Sequence, residues 1–371
     1  MKLLVLTSYP DQAACTRFRI SAFIPALERA GIEVRSEPFL DSDLFSTFYR
    51  AGYRRKNALG VARAIASRVV TTLRARRYDG VFVQREAALL GPAITEELLA
   101  RGLRLPLIYD IDDAVWLAGK GASTNATRYP LLSRLLKAPS KSLRMLSFAT
   151  TVIAGSRYLA DFASRYCART EIIPTVVSRE TWRPLPGRLE TAALSTPPVI
   201  GWIGTHSTAP QLALVAPALA RLRAEGREFS VRVIGAGEDF KLDGVELDRR
   251  PWSKDREVTE FQSLDVGIAP MFKDEWSEGK CGFKQLQYMA VGVPMVTSVA
   301  GGARDFVTHG QNALVAETED DWYPHLAALL DDAALRRRLA TNGRQLVETR
   351  YSREAVEDRF VAIVRDTLGR T

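Results

Sequence analysis

Short apolar runs alternate with stretches of helical periodicity along the whole chain, and small or polar residues bound each run. The runs lie at Lys2–Thr7, Ile32–Arg35, Val81–Val83, Leu107–Tyr109, Thr151–Ala154 and Glu171–Ile173. They resume at Val199–Ile203, Val231–Ile234, Val266–Ala269 and Met295–Ser298. Between the first two, residues 17–30 place Phe18, Phe23, Ile24 and Leu27 at helical spacing, and Gly31 follows as a stop. Such alternation predicts parallel sheets with helices on both faces. It pauses once, in the stretch beginning RPLPG, whose proline, small and polar residues read as a linker. A chain of 371 residues is long enough for two cores. The expected organisation is therefore α/β: two doubly wound Rossmann-like domains facing a cleft, at 1–182 and 198–350. The linker would span 183–197, and a closing helix would occupy 351–371.

In doubly wound sheets, ligands bind beyond the carboxyl ends of the strands. The loops there carry the chemistry, and the densest is GKCGFKQLQYMAVGVPMV, from Gly279 to Val296. It reads as a tight glycine loop, a helix, a turn and a buried strand. Lys280 and Lys284 flank the expected start of the helix. A helix N-terminus offers unpaired N–H groups and partial positive charge, so two lysines there suit a phosphate or diphosphate. Cys281 sits in this loop, either as a reactive thiol or as a small residue that fits the turn.

Three further loops follow strands in the same half. Gly204, Thr205, His206, Ser207 and Thr208 offer close backbone approach and hydroxyl donors to phosphate oxygens, with His206 a base, a phosphate donor or a bystander. Gly235 and Gly237 bracket a turn too short for a dinucleotide fingerprint. Gly301 and Gly302 bring N–H groups toward a sugar or phosphate, and Asp305 accepts from hydroxyls or caps a helix.

In the first half, Asp110, Asp112 and Asp113 follow the Leu107–Tyr109 run. Three carboxylates this close invite a metal reading. Hydroxyl recognition or acid/base support is favoured, because the phosphate signals lie in the other half and the lysines neutralise a diphosphate without a metal. Arg17 and Arg19, at a helix start, are a clamp for an anionic acceptor or a surface pair. Arg85, at the end of another strand, faces the same way.

Charge divides the chain. Residues 1–180 carry a net +11 and the remainder −3. Residues 44–78 hold nine basic residues and no acid; residues 114–160 hold seven and no acid. Apolar residues interleave with both, among them Leu59, Val69 and Val70 in one and Leu131, Leu132, Leu135, Leu136 and Leu143 in the other. Such segments fit an anionic membrane surface or a solvated helix face. Nucleic acid is not expected, since no RNP, helix-turn-helix or zinc-finger signature is present. Three scattered cysteines argue against a disulfide framework. The apolar core at Leu3–Leu6 is too short for a signal peptide, so a cytoplasmic location is expected, with peripheral attachment at the inner face of a membrane if the basic segments bind one.

On these motifs the chain resembles the retaining glycosyltransferases of family 4, of the GT-B fold. TSYPDQAACTRFRISAFIPALERAGIEV, YDIDDAVW and VIAGSRYLADFA with IIPTVVS resemble the acceptor-domain half. VIGWIGTHSTAPQL, VRVIGAG, LDVGIAPM, GKCGFKQLQYMAVGVPMVTS and GGARDFVTHGQNALV resemble the donor domain in order and spacing, and YSREAVEDRFVAIV the closing helix. The resemblance implies a nucleotide-diphosphate sugar bound by the second domain and a glycan, lipid-linked or small-molecule acceptor bound by the first. It implies transfer with retention and no bound metal or other cofactor.

On this reading Gly204, Thr205, Ser207, Gly235, Gly237, Lys280, Cys281, Gly282, Phe283, Lys284, Gln287, Gly301 and Gly302 hold the donor. Arg17, Arg19, Arg85, Asp110 and Asp113 meet the acceptor, and Asp112, Glu278 and Lys284 serve the chemistry. The sequence departs from the family where two glutamates separated by seven residues are usual. The second falls at Gln287; the first falls at Gly279, one position after Glu278. Two alternatives share the fold: a sugar-nucleotide epimerase, and a catalytically weak sugar-nucleotide-binding subunit.

Overall fold

The computed structural model describes residues 1–48, 52–117 and 141–369. They gather into two units, the first built from 1–117, 141–176 and 356–369 and the second from Val177–Ala355. Each unit is organised around one six-stranded sheet whose strands all pair in parallel.

In the first unit the strands are β1 (Lys2–Thr7), β2 (Glu33–Pro38), β3 (Gly80–Gln84), β4 (Leu107–Ile111), β5 (Thr151–Ala154) and β6 (Thr170–Ile172), in the order β2-β1-β3-β4-β5-β6. Strands β1, β3, β4 and β5 are apolar on both faces because helices cover both. Pro38, which lacks a ladder donor, falls at the end of edge strand β2. Leu3, Val5, Phe82 and Ile108 form a core with residues of the final helix, Arg353–Leu368, where Phe360 stacks on Phe23 at 4.2 Å between centroids.

Two expectations change here. The helix expected over 17–30 is broken into Ala14–Arg17 and Ile24–Arg29, joined by a turn. Pro25 opens the second piece; it has no N–H, and its ring would clash with the preceding turn of a continuous helix. Strand β4 also runs two residues further than its apolar run suggested, so Asp110 is a strand residue and not part of the loop.

The second unit contains β7 (Val199–Ile203), β8 (Ser230–Ile234), β9 (Asp248–Arg250), β10 (Val266–Ala269), β11 (Met295–Thr297) and β12 (Leu314–Val315), in the order β12-β11-β10-β7-β8-β9. The sequence shows no sign of β9 or β12. One is the charged triplet DRR, held by the Arg232–Asp248 ion pair at 2.7 Å; the other is two residues long. Residues 183–197 contain the short helix Arg188–Thr191 and lie in the second unit. The Arg188 guanidinium there donates to the carbonyls of Leu264 and Gln262. Strand order reverses between β7 and β10: chain connections lead outward to β8 and β9 on one side and to β11 and β12 on the other. The loops leaving β7 and β10 therefore diverge, and open a crevice at the carboxyl edge.

Candidate active site

The loops at the carboxyl edge of the second sheet are bound to one another by their backbones. Gly204 N–H donates to the Ile234 carbonyl at 3.0 Å, joining the loops after β7 and β8. Gly235 has a φ of 83°, and a Cβ there would lie 2.2 Å from the Gly204 carbonyl oxygen, so this contact requires glycine. On the other side of the crevice, Gly302 N–H donates to the Lys280 carbonyl at 2.7 Å. At Gly301, φ is 50° and a Cβ would meet the Glu278 and Lys280 carbonyl oxygens at 2.4 Å each. The glycines thus serve loop-to-loop contact at least as much as ligand approach.

The helix Phe283–Ala290 begins between the two lysines, after Gly282 in the left-handed conformation. Its first-turn N–H groups lack intrahelical partners by geometry. Both lysine ammonium groups rest on tryptophans: Lys284 Nζ lies 4.3 Å from the Trp202 ring centroid, and Lys280 Nζ lies 4.4 Å from that of Trp276. Trp202 is fully buried at the end of β7, and its Nε1 has no partner among the described residues. Burial lowers the Lys284 pKa from 10.5 to about 7, and the neighbouring Lys280 charge adds to the shift. The site thus places a readily titrated cation beside a second cation. An anionic ligand would relieve their repulsion.

Glu278 is engaged within the protein. Arg304 donates to both of its oxygens, with Nη2 to Oε1 at 2.8 Å, and Gly301 N–H donates to Oε2 at 3.1 Å. The arginine hydrogen bonds hold its pKa below the usual carboxylate range. Gln287 is buried, and its Nε2 lies 3.5 Å from Glu257 Oε1, on the helix Glu257–Gln262. The fold therefore brings a carboxylate to the position where the sequence has a glutamine. Cys281 is buried in the loop wall. Thr205 and Ser207 share a hydroxyl contact at 2.8 Å at the surface, and His206 beside them is exposed. Trp252, after β9, is partly exposed, and its Cβ would lie 3.2 Å from a Cβ built at Gly235.

In the first unit the candidate residues separate into a buried pair and a more exposed trio. Arg19 and Asp110 are 1% and 0% exposed. The Arg19 guanidinium binds Asp110 through Nε at 3.1 Å and Nη2 at 2.5 Å, and also donates to the Ile173 carbonyl. Both had been expected at the acceptor; buried and mutually engaged, they tie the broken N-terminal helix to β4 instead. Arg85 is nearer the surface, at the end of β3. Its fork contacts Asp112 at 2.6 and 2.9 Å and Asp113 at 2.6 Å. Its φ of 60° is uncommon for a residue other than glycine, and it turns the side chain toward the two acids. Burial raises the nearby Cys15 thiol to about 11, which keeps it protonated and unreactive. Arg17 is surface-directed, with its guanidinium over the Phe18 ring at 4.5 Å. Among the described residues no group of three or more His, Cys, Asp and Glu side chains is arranged to hold a metal ion.

Sequence reading missed Trp202, Trp276, Glu257, Trp252 and Arg304. Trp202 had a usable signal, since Gly201 and Gly204 flank it; Trp252 and Trp276 stand further from any glycine. Glu257 had none, because it lies thirty residues from its partner Gln287.

Residues 197–332, which contain these loops, match a family model described as glycosyl transferases group 1. A 149-residue stretch, 39% of this chain, is 33% identical to an O-antigen biosynthesis protein of Myxococcus xanthus, of which it covers 11%. A 112-residue stretch, 30% of the chain, is 29% identical to a D-inositol 3-phosphate glycosyltransferase of Pseudarthrobacter chlorophenolicus, of which it covers 25%. The chain thus spans a quarter or less of the curated relatives it matches. Among solved structures, the Anabaena protein Alr3699/HepE in complex with UDP-glucose superposes with a TM-score of 0.68 at 16% identity, covering 99% of this chain and 100% of that one. That likeness establishes the fold, two Rossmann-like domains of GT-B type.

Proposed function

We propose that this chain transfers a sugar from a nucleoside-diphosphate sugar to a hydroxyl acceptor, with retention of configuration and without a metal. One observation carries the reading: two lysines straddle a helix N-terminus at the carboxyl edge of a Rossmann-ordered sheet, inside the region that matches the group 1 model. In the reaction, the bond from the anomeric carbon to the diphosphate breaks and its electron pair passes to the diphosphate. The acceptor oxygen bonds to the same carbon, and its proton passes to the departing diphosphate oxygen. Lys280, Lys284 and the first-turn N–H groups aim positive charge at the oxygen where negative charge grows, which lowers the barrier.

Trp202 and Trp276 hold the ammonium groups in place before the ligand arrives. Glu257 and Gln287 together take the ribose hydroxyls. Glu278 acts through Arg304 and Gly301, fixing the loop whose N–H groups line the sugar. Arg85 presents Asp112 and Asp113 for acceptor hydroxyls, and Arg17 lies at the same surface. Because Arg85 already engages both acids, these carboxylates are poor metal ligands, and turnover should persist in EDTA. Loss of activity restored by manganese would overturn that part of the proposal.

Thermal-shift measurement against a panel of nucleoside diphosphates and their sugars tests the donor, because binding raises apparent stability by mass action. No shift with any of them would overturn the reading. Donor consumption that needs an acceptor separates transfer from epimerisation, and binding without turnover would mark a binding subunit. The anomeric configuration of the product, read by NMR, tests retention.

A further inference from the structure

The longest helix of the first unit, Arg54–Leu73, packs inward through Val61 and Ala64, against the cluster of Phe39, Leu40 and Leu44, and through a row of polar residues. Arg68 is 4% exposed and donates to the Glu37 carbonyl at 2.9 Å; Thr71 donates to the Glu37 carboxylate, and Thr72 is buried. On the outward side Leu59, Val69 and Leu73 are 65%, 54% and 69% exposed, with Ile65 and Val70 beside them at 45% and 44%. Their spacing puts all five on one stripe of a 3.6-residue helix, with Ala62 and Ala66 filling the gaps. Of the exposed large hydrophobic residues among those described, no other helix carries as many. A contiguous exposed apolar stripe marks an interaction surface.

The charge around the stripe identifies what covers it. Arg55, Lys56, Arg63, Arg74, Arg76 and Arg77 are exposed along its border and just beyond its end. No ion pair among the described residues engages them, and residues 44–78 contain no acid. A second copy of this chain would bring these cations against their own kind with no carboxylate on the helix to offset them. An apolar stripe rimmed by cations matches a surface that is apolar below and anionic above. Among the described residues no helix is long and apolar enough to cross a membrane, so the contact is with one leaflet.

We propose that the outward face of Arg54–Leu73 seats the protein on an anionic lipid bilayer, with Leu59, Val69 and Leu73 in the acyl boundary and Arg55, Lys56 and Arg63 at the headgroups. This stands on the helix alone and does not depend on the transfer reading.

The test is co-sedimentation of the full chain with vesicles of phosphatidylcholine alone and of phosphatidylcholine with 30% phosphatidylglycerol as probes. Binding to the anionic vesicles is expected, with at least ~tenfold weaker partition to the neutral ones and a decline as salt is added. The triple variant Leu59→Ser/Val69→Ser/Leu73→Ser should lose ~tenfold or more of the partition, and so should Arg55→Gln/Lys56→Gln/Arg63→Gln. All these positions are solvent-facing, and circular dichroism with thermal melting verifies that each variant folds. No binding to anionic vesicles, equal binding to neutral ones, or unchanged binding by both variants overturns the proposal. So does a dimer in sedimentation equilibrium that the serine variant dissociates, since the stripe would then be covered by a second copy.

Discussion

Two helices of this protein combine apolar residues with cations and use them in opposite senses. Phe283–Ala290 buries Leu286, Tyr288, Met289 and Ala290 in its own unit and leaves Lys284 at the crevice. Arg54–Leu73 buries an arginine and a threonine beside Val61 and Ala64, and leaves its larger aliphatic stripe, Leu59, Ile65, Val69, Val70 and Leu73, in solvent. The comparison teaches that a helix's composition and period do not say which face is the inner one. That depends on what the neighbouring element offers. Trp202 and the Gly201 and Ile268 carbonyls, which accept from the Tyr288 hydroxyl, receive the first helix. The Glu37 carbonyl and carboxylate receive the second.

The largest expected effect lies on the first helix. Lys284→Ala should lower turnover on the order of 10²-fold, as for loss of one donor to a developing oxyanion. Steady-state kinetics with the donor found by thermal shift measures it, and unchanged kinetics would remove the lysine from the leaving-group site. On the second helix the matching loss is the ~tenfold drop in vesicle partition of the serine triple variant. The two effects should not cross over: Lys284→Ala should sediment normally with anionic vesicles.

A smaller effect tests the role of Glu278. If it acts by anchoring Arg304, then Glu278→Gln and Arg304→Gln should cause similar losses of turnover, and the double variant should be little worse than either. A much larger loss for Glu278→Gln alone would put the carboxylate on the sugar. Gly301→Ala should also disturb this loop, at a cost of about 1–3 kcal/mol, read as a lower Tm.

The smallest effect is a fraction of a proton. Lys284 titrates near pH 7 in the free protein, so at pH 8 it is mostly neutral, and a bound diphosphate should recharge it. Calorimetry in buffers of different ionisation enthalpy should show proton uptake at pH 8, less at pH 6, and none in Lys284→Met. The same depressed pKa sets the sign for the ligand-free fold. Burying the charged form costs stability below pH 7, and that cost fades as pH rises toward the unfolded value of 10.5.

Much of the fold was legible along the chain. Ten of the strands coincide with short apolar runs; the runs are clearest for the inner strands, because a strand covered on both faces must be apolar throughout, while edge strands β2 and β6 are partly exposed. β9 and β12 left no trace, since an edge triplet such as Asp248–Arg250 is held by ion pairs and needs no apolar pattern. The lysines of the candidate site were visible because they sit within a few residues of a glycine turn and a helix start. Glu257 beside Gln287, Arg304 on Glu278 and the tryptophans beneath the lysines are products of tertiary proximity. Asp110 is a strand residue and not a loop acid because a strand's end is set by pairing with its neighbour, which apolar content does not report, and Arg19 turns inward to meet it.

By itself, then, the sequence determined the parallel α/β architecture, the loops that carry glycine and lysine, and the asymmetry of charge, because each is written in local spacing and composition. Tertiary structure decided which acids are engaged with arginines, which carboxylate stands beside Gln287, and that the helix Arg54–Leu73 turns its apolar face outward. Those outcomes depend on groups distant in sequence meeting within hydrogen-bonding distance, and the energy of burying a charge or polar group is set by the partner it finds there.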